Sequence, residues 1–233
     1  GTRRKRAVHV QAHTEDARQA VSNGVIGMEP YYQDDAVTIY NADCRDVLPM
    51  LDKVDLVLTD PPYGVDATYG PAYDDSRDTY WQWFLPCLAQ VRESTNLLVF
   101  THRVTALKKI RDWDWVGVWN KPFSAGTRLG NSQILPHWEP IFFYGIYKVG
   151  VLSNYVSDVF TFNLTGNGLI NGRGRAGWQA RQTDHIKHPT PKPTDLFKLL
   201  TARLTLPDHI ILDPFMGSGT TLRAAKDLGR KAI

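Results

Sequence analysis

Regular alternation of apolar and polar positions begins near residue 36. Before that, residues 1–30 show no amphipathic period. Arg3-Arg4-Lys5-Arg6 is followed by a polar stretch through Asn23-Gly24, which predicts a flexible N-terminal extension. Ala36-Val37-Thr38-Ile39-Tyr40 is a short β-rich run, and Val54-Asp55-Leu56-Val57-Leu58-Thr59 is a second. Residues 79–93 place Trp81, Phe84, Leu85, Leu88 and Val91 on one side of a helix. Leu97-Leu98-Val99-Phe100 is continuously apolar, as expected of a strand covered on both faces. Residues 115–119 and 141–144 predict further strands. Residues 194–205 predict a helix, with Thr194 as its cap and Leu196, Leu199, Leu200 and Leu204 along one stripe. Ile210-Ile211-Leu212 is a strand whose following turn opens a last helix. Strands alternating with helices predict an α/β fold built on one doubly wound, mostly parallel sheet. The folded domain is expected to span residues 31–233.

One segment breaks the rhythm. Residues 145–187 are rich in Gly, Asn, Ser and Arg, with Gly166-Asn167-Gly168 and Asn171-Gly172-Arg173-Gly174-Arg175 as turn chemistry interleaved with cations. A loop of this length in a compact domain is usually functional or disordered. Arg173 and Arg175 suit phosphate contacts as well as they suit a solvated loop.

Composition narrows the field. With 233 residues, 42% of them hydrophobic, the chain can bury one sizeable core. No apolar run approaches the roughly 18–20 residues of a membrane span, and the basic start lacks the apolar stretch of a secretory leader. The net charge of +3 is compatible with a nucleic-acid partner without establishing one. Cys44 and Cys87 are distant in sequence and read as free thiols of a reducing compartment. His102, His137, His185 and His188 lack metal-ligand spacing, so no metal is expected.

Two motifs bear the chemistry. Asp60-Pro61-Pro62-Tyr63 directly follows an apolar strand, and ligands of open α/β sheets bind beyond the carboxyl ends of strands. Two prolines fix the backbone and remove two N–H donors, leaving rigid carbonyl acceptors. A carboxylate, a fixed carbonyl and an aromatic face together suit a planar group bearing an amine. Asp60 and the Pro61 carbonyl can accept hydrogen bonds from that amine, and Tyr63 can stack on its ring. A base inside a duplex reaches such a pocket only by flipping out. The plainer alternative is a strand-ending turn. The second motif is Asp213-Pro214-Phe215-Met216-Gly217-Ser218-Gly219-Thr220-Thr221, on a strand–loop–helix turn. Its glycines permit positive φ and close approach of a ligand. It lacks the third Gly of the dinucleotide fingerprint, since Leu222 stands there, and the Gly-Lys-Ser/Thr ending of a P-loop. A small cofactor such as S-adenosylmethionine remains.

Taken together the motifs are far more specific. Asp-Pro-Pro-Tyr resembles the catalytic motif of adenine-N6 and cytosine-N4 DNA amino-methyltransferases, and residues 213–221 resemble their cofactor loop. His188-Pro189-Thr190-Pro191-Lys192-Pro193 is similar to the segment that precedes that loop and helps hold the methionine part of the cofactor. Asn41-Ala42-Asp43-Cys44 resembles a turn near the cofactor's adenine, and His137-Trp138-Glu139-Pro140 resembles a motif that shapes the base pocket. The resemblance covers residues 36–233, and the order, catalytic motif first and cofactor loop last, is that of the β-type group. It implies a Rossmann-like S-adenosylmethionine-dependent methyltransferase fold with residues 145–187 as the target-recognition insertion. It further implies a catalytic set of Asp60, Pro61, Pro62 and Tyr63, and a cofactor set of Asp43, Lys192, Asp213, Phe215, Gly217, Ser218, Gly219 and Thr220. The substrate implied is double-stranded DNA, in a cytoplasmic, nucleoid-associated setting of a bacterial or phage-infected cell. A recognition segment this short suits a small site or one completed by a second copy in a homodimer. Asp rather than Ser at position 60 leans toward adenine over cytosine. A non-catalytic DNA-binding subunit is the alternative from another class. The family's acidic residue for the cofactor ribose would fall after Ile233.

Overall fold

The computed structural model describes residues 28–66, 75–122, 137–147, 157–162 and 192–233. The centre is a seven-stranded sheet. In chain order its strands are β3 (Leu56–Thr59), β4 (Leu98–Thr101), β5 (Trp115–Asn120), β6 (Trp138–Tyr144), β7 (Val159–Thr161), β8 (Ile210–Leu212) and β9 (Lys231–Ala232), arranged β7-β5-β6-β4-β3-β8-β9. A hairpin of β1 (Tyr32–Gln33) and β2 (Thr38–Ile39) stands beside it, and Val37 bridges to Ala232 in parallel. Pairings β4–β3, β3–β8, β8–β9 and β5–β7 are parallel. Strand β6 runs antiparallel to both its neighbours, so the sheet is mostly but not wholly parallel.

Alternation along the central strands explains the double winding. Val57, Leu98 and Phe100 point to one face, where they meet Tyr80, Phe84, Leu88 and Val91 of helix α2 (Tyr80–Glu93), which follows the one-turn helix α1 (Cys44–Val47). Leu56, Leu58, Leu97 and Val99 point to the other, against Leu196, Phe197 and Leu200 of α3 (Thr194–Leu204) and Leu222, Ala224 and Ala225 of α4 (Thr220–Asp227). Every residue of β3 and β4 is buried, because both faces are covered.

The helix faces differ from expectation in detail. On α2, Leu85 is exposed while Tyr80 and Cys87 complete the buried stripe. On α3 the cap position belongs to Pro193, and Thr194 is the first helical residue. The ring fixes φ at −62°, the ψ of 120° makes the residue extended rather than helical, and no side-chain cap bond forms. Cys44 and Cys87 are free thiols, as expected, although the fold brings their Sγ atoms to 3.7 Å. The expected N-terminal extension lies outside the described residues except at its end. Of residues 145–187, only 145–147 and 157–162 are described, the latter contributing β7. Arg173, Arg175, His185 and His188 lie outside the described residues.

The topology places the site. From β3 the chain passes through α2 to β4 on one side, and from β8 it passes through α4 to β9 on the other. The carboxyl ends of β3 and β8 therefore flank the point where the winding changes direction, and a crevice opens there.

Candidate active site

Both motifs open into that crevice. A cavity of about 380 Å³ is lined by Asp60, Pro61 and Pro62 from the end of β3, by Asp213, Pro214, Phe215, Met216, Gly217 and Ser218 from the end of β8, by Thr220 and Thr221 of α4, and by Lys192 and Phe197. The two loops are tied directly: the Thr59 hydroxyl donates to Asp213 Oδ1 at 2.5 Å, and the Phe215 N–H donates to the same oxygen at 3.1 Å. Burial raises the Asp213 carboxyl to about 6 despite these donors. Gly217 (φ +52°) and Gly219 (φ +77°) take the left-handed conformations the turn requires, and Gly219 caps α4.

Asp60 sits at the centre of a web of charged and polar groups. Its Oδ1 accepts from the Thr101 hydroxyl at 2.5 Å, and the Tyr63 hydroxyl oxygen and the Lys192 Nζ lie 2.9 and 3.1 Å away. Register explains Thr101: Thr59 pairs with Phe100 across the parallel β3–β4 ladder, so the next residues of the two strands emerge side by side. Glu139 near the start of β6 holds a second carboxylate in the same place. It accepts from Tyr63 at 2.7 Å, and its oxygens lie 2.6 Å from Lys121 Nζ and 3.3 Å from Lys192 Nζ. Lysines and carboxylates thus alternate as Lys121, Glu139, Lys192 and Asp60, two charges of each sign. Burial pushes the Asp60 carboxyl upward, a shift that the Lys192 cation only partly offsets. For Glu139 burial acts the same way, but the two lysines outweigh it and hold the carboxyl below its usual range. Burial tends to lower Lys192, and its two carboxylate neighbours more than reverse that, keeping it cationic.

The Asp60–Tyr63 loop is supported from behind. His102 is fully buried, and burial together with the Arg103 and Lys192 charges depresses it well below its usual range, so the ring is neutral. Its Nδ1 accepts the Arg103 N–H at 2.8 Å, which assigns the proton to Nε2. Nε2 then donates to the Tyr80 oxygen at 2.8 Å, and Tyr80 donates to the Pro62 carbonyl at 2.6 Å. The His102 ring also stacks on Tyr63, with centroids 4.8 Å apart and planes at 12°. Beyond Tyr63, Gly64 turns with φ +63° against the Tyr80 ring. A Cβ on Gly64 would lie 2.6 Å from that ring, and the Gly64 and Val65 N–H groups donate to the Asp75 carboxylate at 2.6 and 3.0 Å.

The structure therefore gathers Asp60, Pro61, Pro62, Lys192, Asp213, Phe215, Gly217, Ser218 and Thr220 around one cavity, with Tyr63 in contact with Asp60. Gly219 lies in the same turn but faces a second, open depression beside the β1–β2 hairpin. Asp43 is not among the cavity-lining residues. It caps α1 by accepting the Arg45 N–H at 2.9 Å and pairs with the Arg45 guanidinium. Thr101, Tyr80 and Lys121 were missed in the sequence, and His102 was read only as a non-ligand. The usable signals were the register of β4 against β3 and a carboxylate set in the otherwise apolar stretch Trp138–Tyr144.

The DNA methylase family model (N6_N4_Mtase) matches residues 117–233, half of the chain. The chain belongs to this DNA methylase family. Among curated relatives of the chain, type II methyltransferase M.BamHI of Bacillus amyloliquefaciens is 24% identical over 91% of the chain and 57% of its own length. M.HindIII of Haemophilus influenzae is 35% identical over 46% of the chain and 38% of its own length. The chain thus spans little more than half of the first relative and less of the second. Among solved structures, the PvuII DNA methyltransferase (cytosine-N4-specific) superposes with a TM-score of 0.62 at 18% identity, covering 89% of this chain and 84% of that one. The M1.HpyAVI–SAM complex gives 0.56 at 23% identity, covering 84% and 91%. These likenesses establish the Rossmann-like methyltransferase fold of the chain.

Proposed function

We propose that this methylase transfers a methyl group from S-adenosylmethionine to the N6 amine of an adenine flipped out of duplex DNA. The observation that carries the reading is the joining of the Asp-Pro-Pro-Tyr loop and the glycine loop around one cavity at the switch point.

The residues present fit the cofactor. The turn after β8 brings backbone close to the cavity through Gly217 and Gly219, and Asp213, Phe215, Ser218 and Thr220 border it. These residues would hold the cofactor, while Lys192 stands against Asp60 and Glu139. When bound it supplies a methyl group already activated on a positive sulfonium. Asp60 and the Pro61 carbonyl accept hydrogen bonds from the target amine, draw its lone pair out of conjugation and aim it into the cavity. Thr101 orients the carboxylate, and the His102–Tyr80 chain fixes the loop. Orientation of this kind supplies much of the rate gain. No covalent intermediate is invoked, and neither cysteine lines the cavity. Asp rather than Ser at position 60 supports adenine.

The test is transfer of labelled methyl from S-adenosylmethionine to unmodified plasmid DNA, followed by digestion to nucleosides. N6-methyladenine is the expected product. N4-methylcytosine would overturn the choice of base, and absence of any methylated nucleoside would overturn the activity.

A further inference from the structure

Tyr63 is the natural platform for a flipped base, yet both faces of its ring are taken. One face is stacked on His102. The Lys192 Nζ lies over the ring 4.5 Å from its centroid. A cation at that height cannot fit into the 4.8 Å gap between the two stacked rings, so it covers the opposite face. That face is where an incoming base would stack. The same Nζ is 3.1 Å from Asp60 Oδ1, and the Lys192 side chain is only 8% exposed. An N–H donor above Tyr63 and against Asp60 stands where the amine of a stacked base has to stand.

We propose that the Lys192 ammonium holds the target-amine position until a base enters, and that Glu139 retains it when the base displaces it. The inference rests on the amino-methyltransferase reading above. Glu139 Oε2 is already 3.3 Å from Nζ, so a short swing breaks the contact with Asp60 without leaving a buried cation unpaired. Lys121, 2.6 Å from the other Glu139 oxygen, fixes that carboxylate in place. Held there, the ammonium keeps Asp60 paired until the base arrives, and amine and ammonium compete for one carboxylate. Lys192 is then a displaceable occupant that sets how tightly a base is held, and Glu139 is a positioning residue acting through it.

The opposed directions of two substitutions test this. Methyl transfer from labelled S-adenosylmethionine to unmodified plasmid DNA is measured on the alkaline plateau, with KM determined for each substrate. Lys192→Met removes the competitor, so KM for DNA falls by about threefold or more while KM for the cofactor is unchanged. Lys192→Gln, measured alongside in case the methionine variant does not fold, gives the same direction. Glu139→Gln weakens the hold on Lys192 and leaves it with Asp60, so KM for DNA rises by about threefold or more, and Glu139→Asp restores it part-way. A DNA KM that is unchanged or raised in the folded Lys192 variants overturns the proposal. So does a rise confined to the cofactor KM, which makes Lys192 a cofactor contact instead. Failure of the wild-type chain to transfer methyl at all strikes the methyltransferase reading, and this inference with it.

Discussion

Replacing Thr101 with valine removes one hydroxyl beside Asp60 and keeps the β-branched shape that β4 buries. The hydroxyl donates to Asp60 Oδ1 at 2.5 Å, and Thr101 is 1% exposed, so water does not take over the bond. A hydrogen bond to a charged group contributes about 1.5–3 kcal/mol. Asp60 is already held above the usual carboxylate range by burial, and losing this donor moves it further in the same direction. At a fixed pH on the acid limb, the ionised fraction falls by about tenfold to a hundredfold, since about 1.4 kcal/mol is a factor of ten. The assay is the initial rate of methyl transfer to unmodified plasmid DNA across pH, at saturating cofactor. The acid limb of kcat/KM moves to higher pH, and the alkaline plateau falls much less. Thermal denaturation gives a second reading free of activity. A carboxyl whose folded value lies above its unfolded value binds its proton more tightly when folded. Its stabilisation is complete below the unfolded value and is lost as pH rises through the folded one. The deficit of Thr101→Val relative to wild type is therefore smaller in acid than in alkali. An acid limb that stays in place, with only a uniform loss of rate, would refute the assignment of Thr101 as the donor that keeps Asp60 ionised.

Tyr80→Phe leaves the Pro62 carbonyl without its 2.6 Å donor and the His102 Nε2–H without its acceptor. Each orphaned buried group costs about 1–3 kcal/mol, so calorimetry should show a clearly lowered melting temperature, and kcat should fall more than KM because the loop is misplaced rather than lost. An unaltered kcat would show that the Pro62 carbonyl needs no support. Asp213→Asn removes a carboxyl that burial raises to about 6. In the wild type this group binds its proton more tightly folded than unfolded, so stability drops between about pH 4 and 6. Melting curves of the variant should lack that part of the slope, and an unchanged slope would exclude Asp213 as its source.

The central strands were legible because β3, β4 and β8 are short apolar runs covered on both faces. The motif residues were legible for a different reason: each sits immediately after such a strand, where a backbone turn and a side chain are both exposed to a ligand. What the sequence withheld depends on neighbours distant in the chain. Thr101 becomes a partner of Asp60 only through the parallel register of β3 and β4. Lys121 and Glu139 meet because β5 and β6 pair antiparallel, Trp119 opposite Glu139. His102 was read as a lone histidine, yet burial makes it a neutral prop for the ring of Tyr63. Leu85 was placed on the wrong side of α2, because the hydrophobic stripe of a helix is wider than the face its neighbours cover. Lys192 was legible as a site residue but not in its present position, since the carboxylates that hold it come from two other strands.

The most direct measurement compares wild type with Asp60→Ala in two assays on the same preparations. One is binding of S-adenosylmethionine by calorimetry, and the other is transfer of labelled methyl to unmodified duplex DNA with the product nucleoside identified. Cofactor binding within a few-fold in both proteins is expected, with N6-methyladenine from wild type and none above background from the variant. Methyl transfer by Asp60→Ala at the wild-type rate would contradict it.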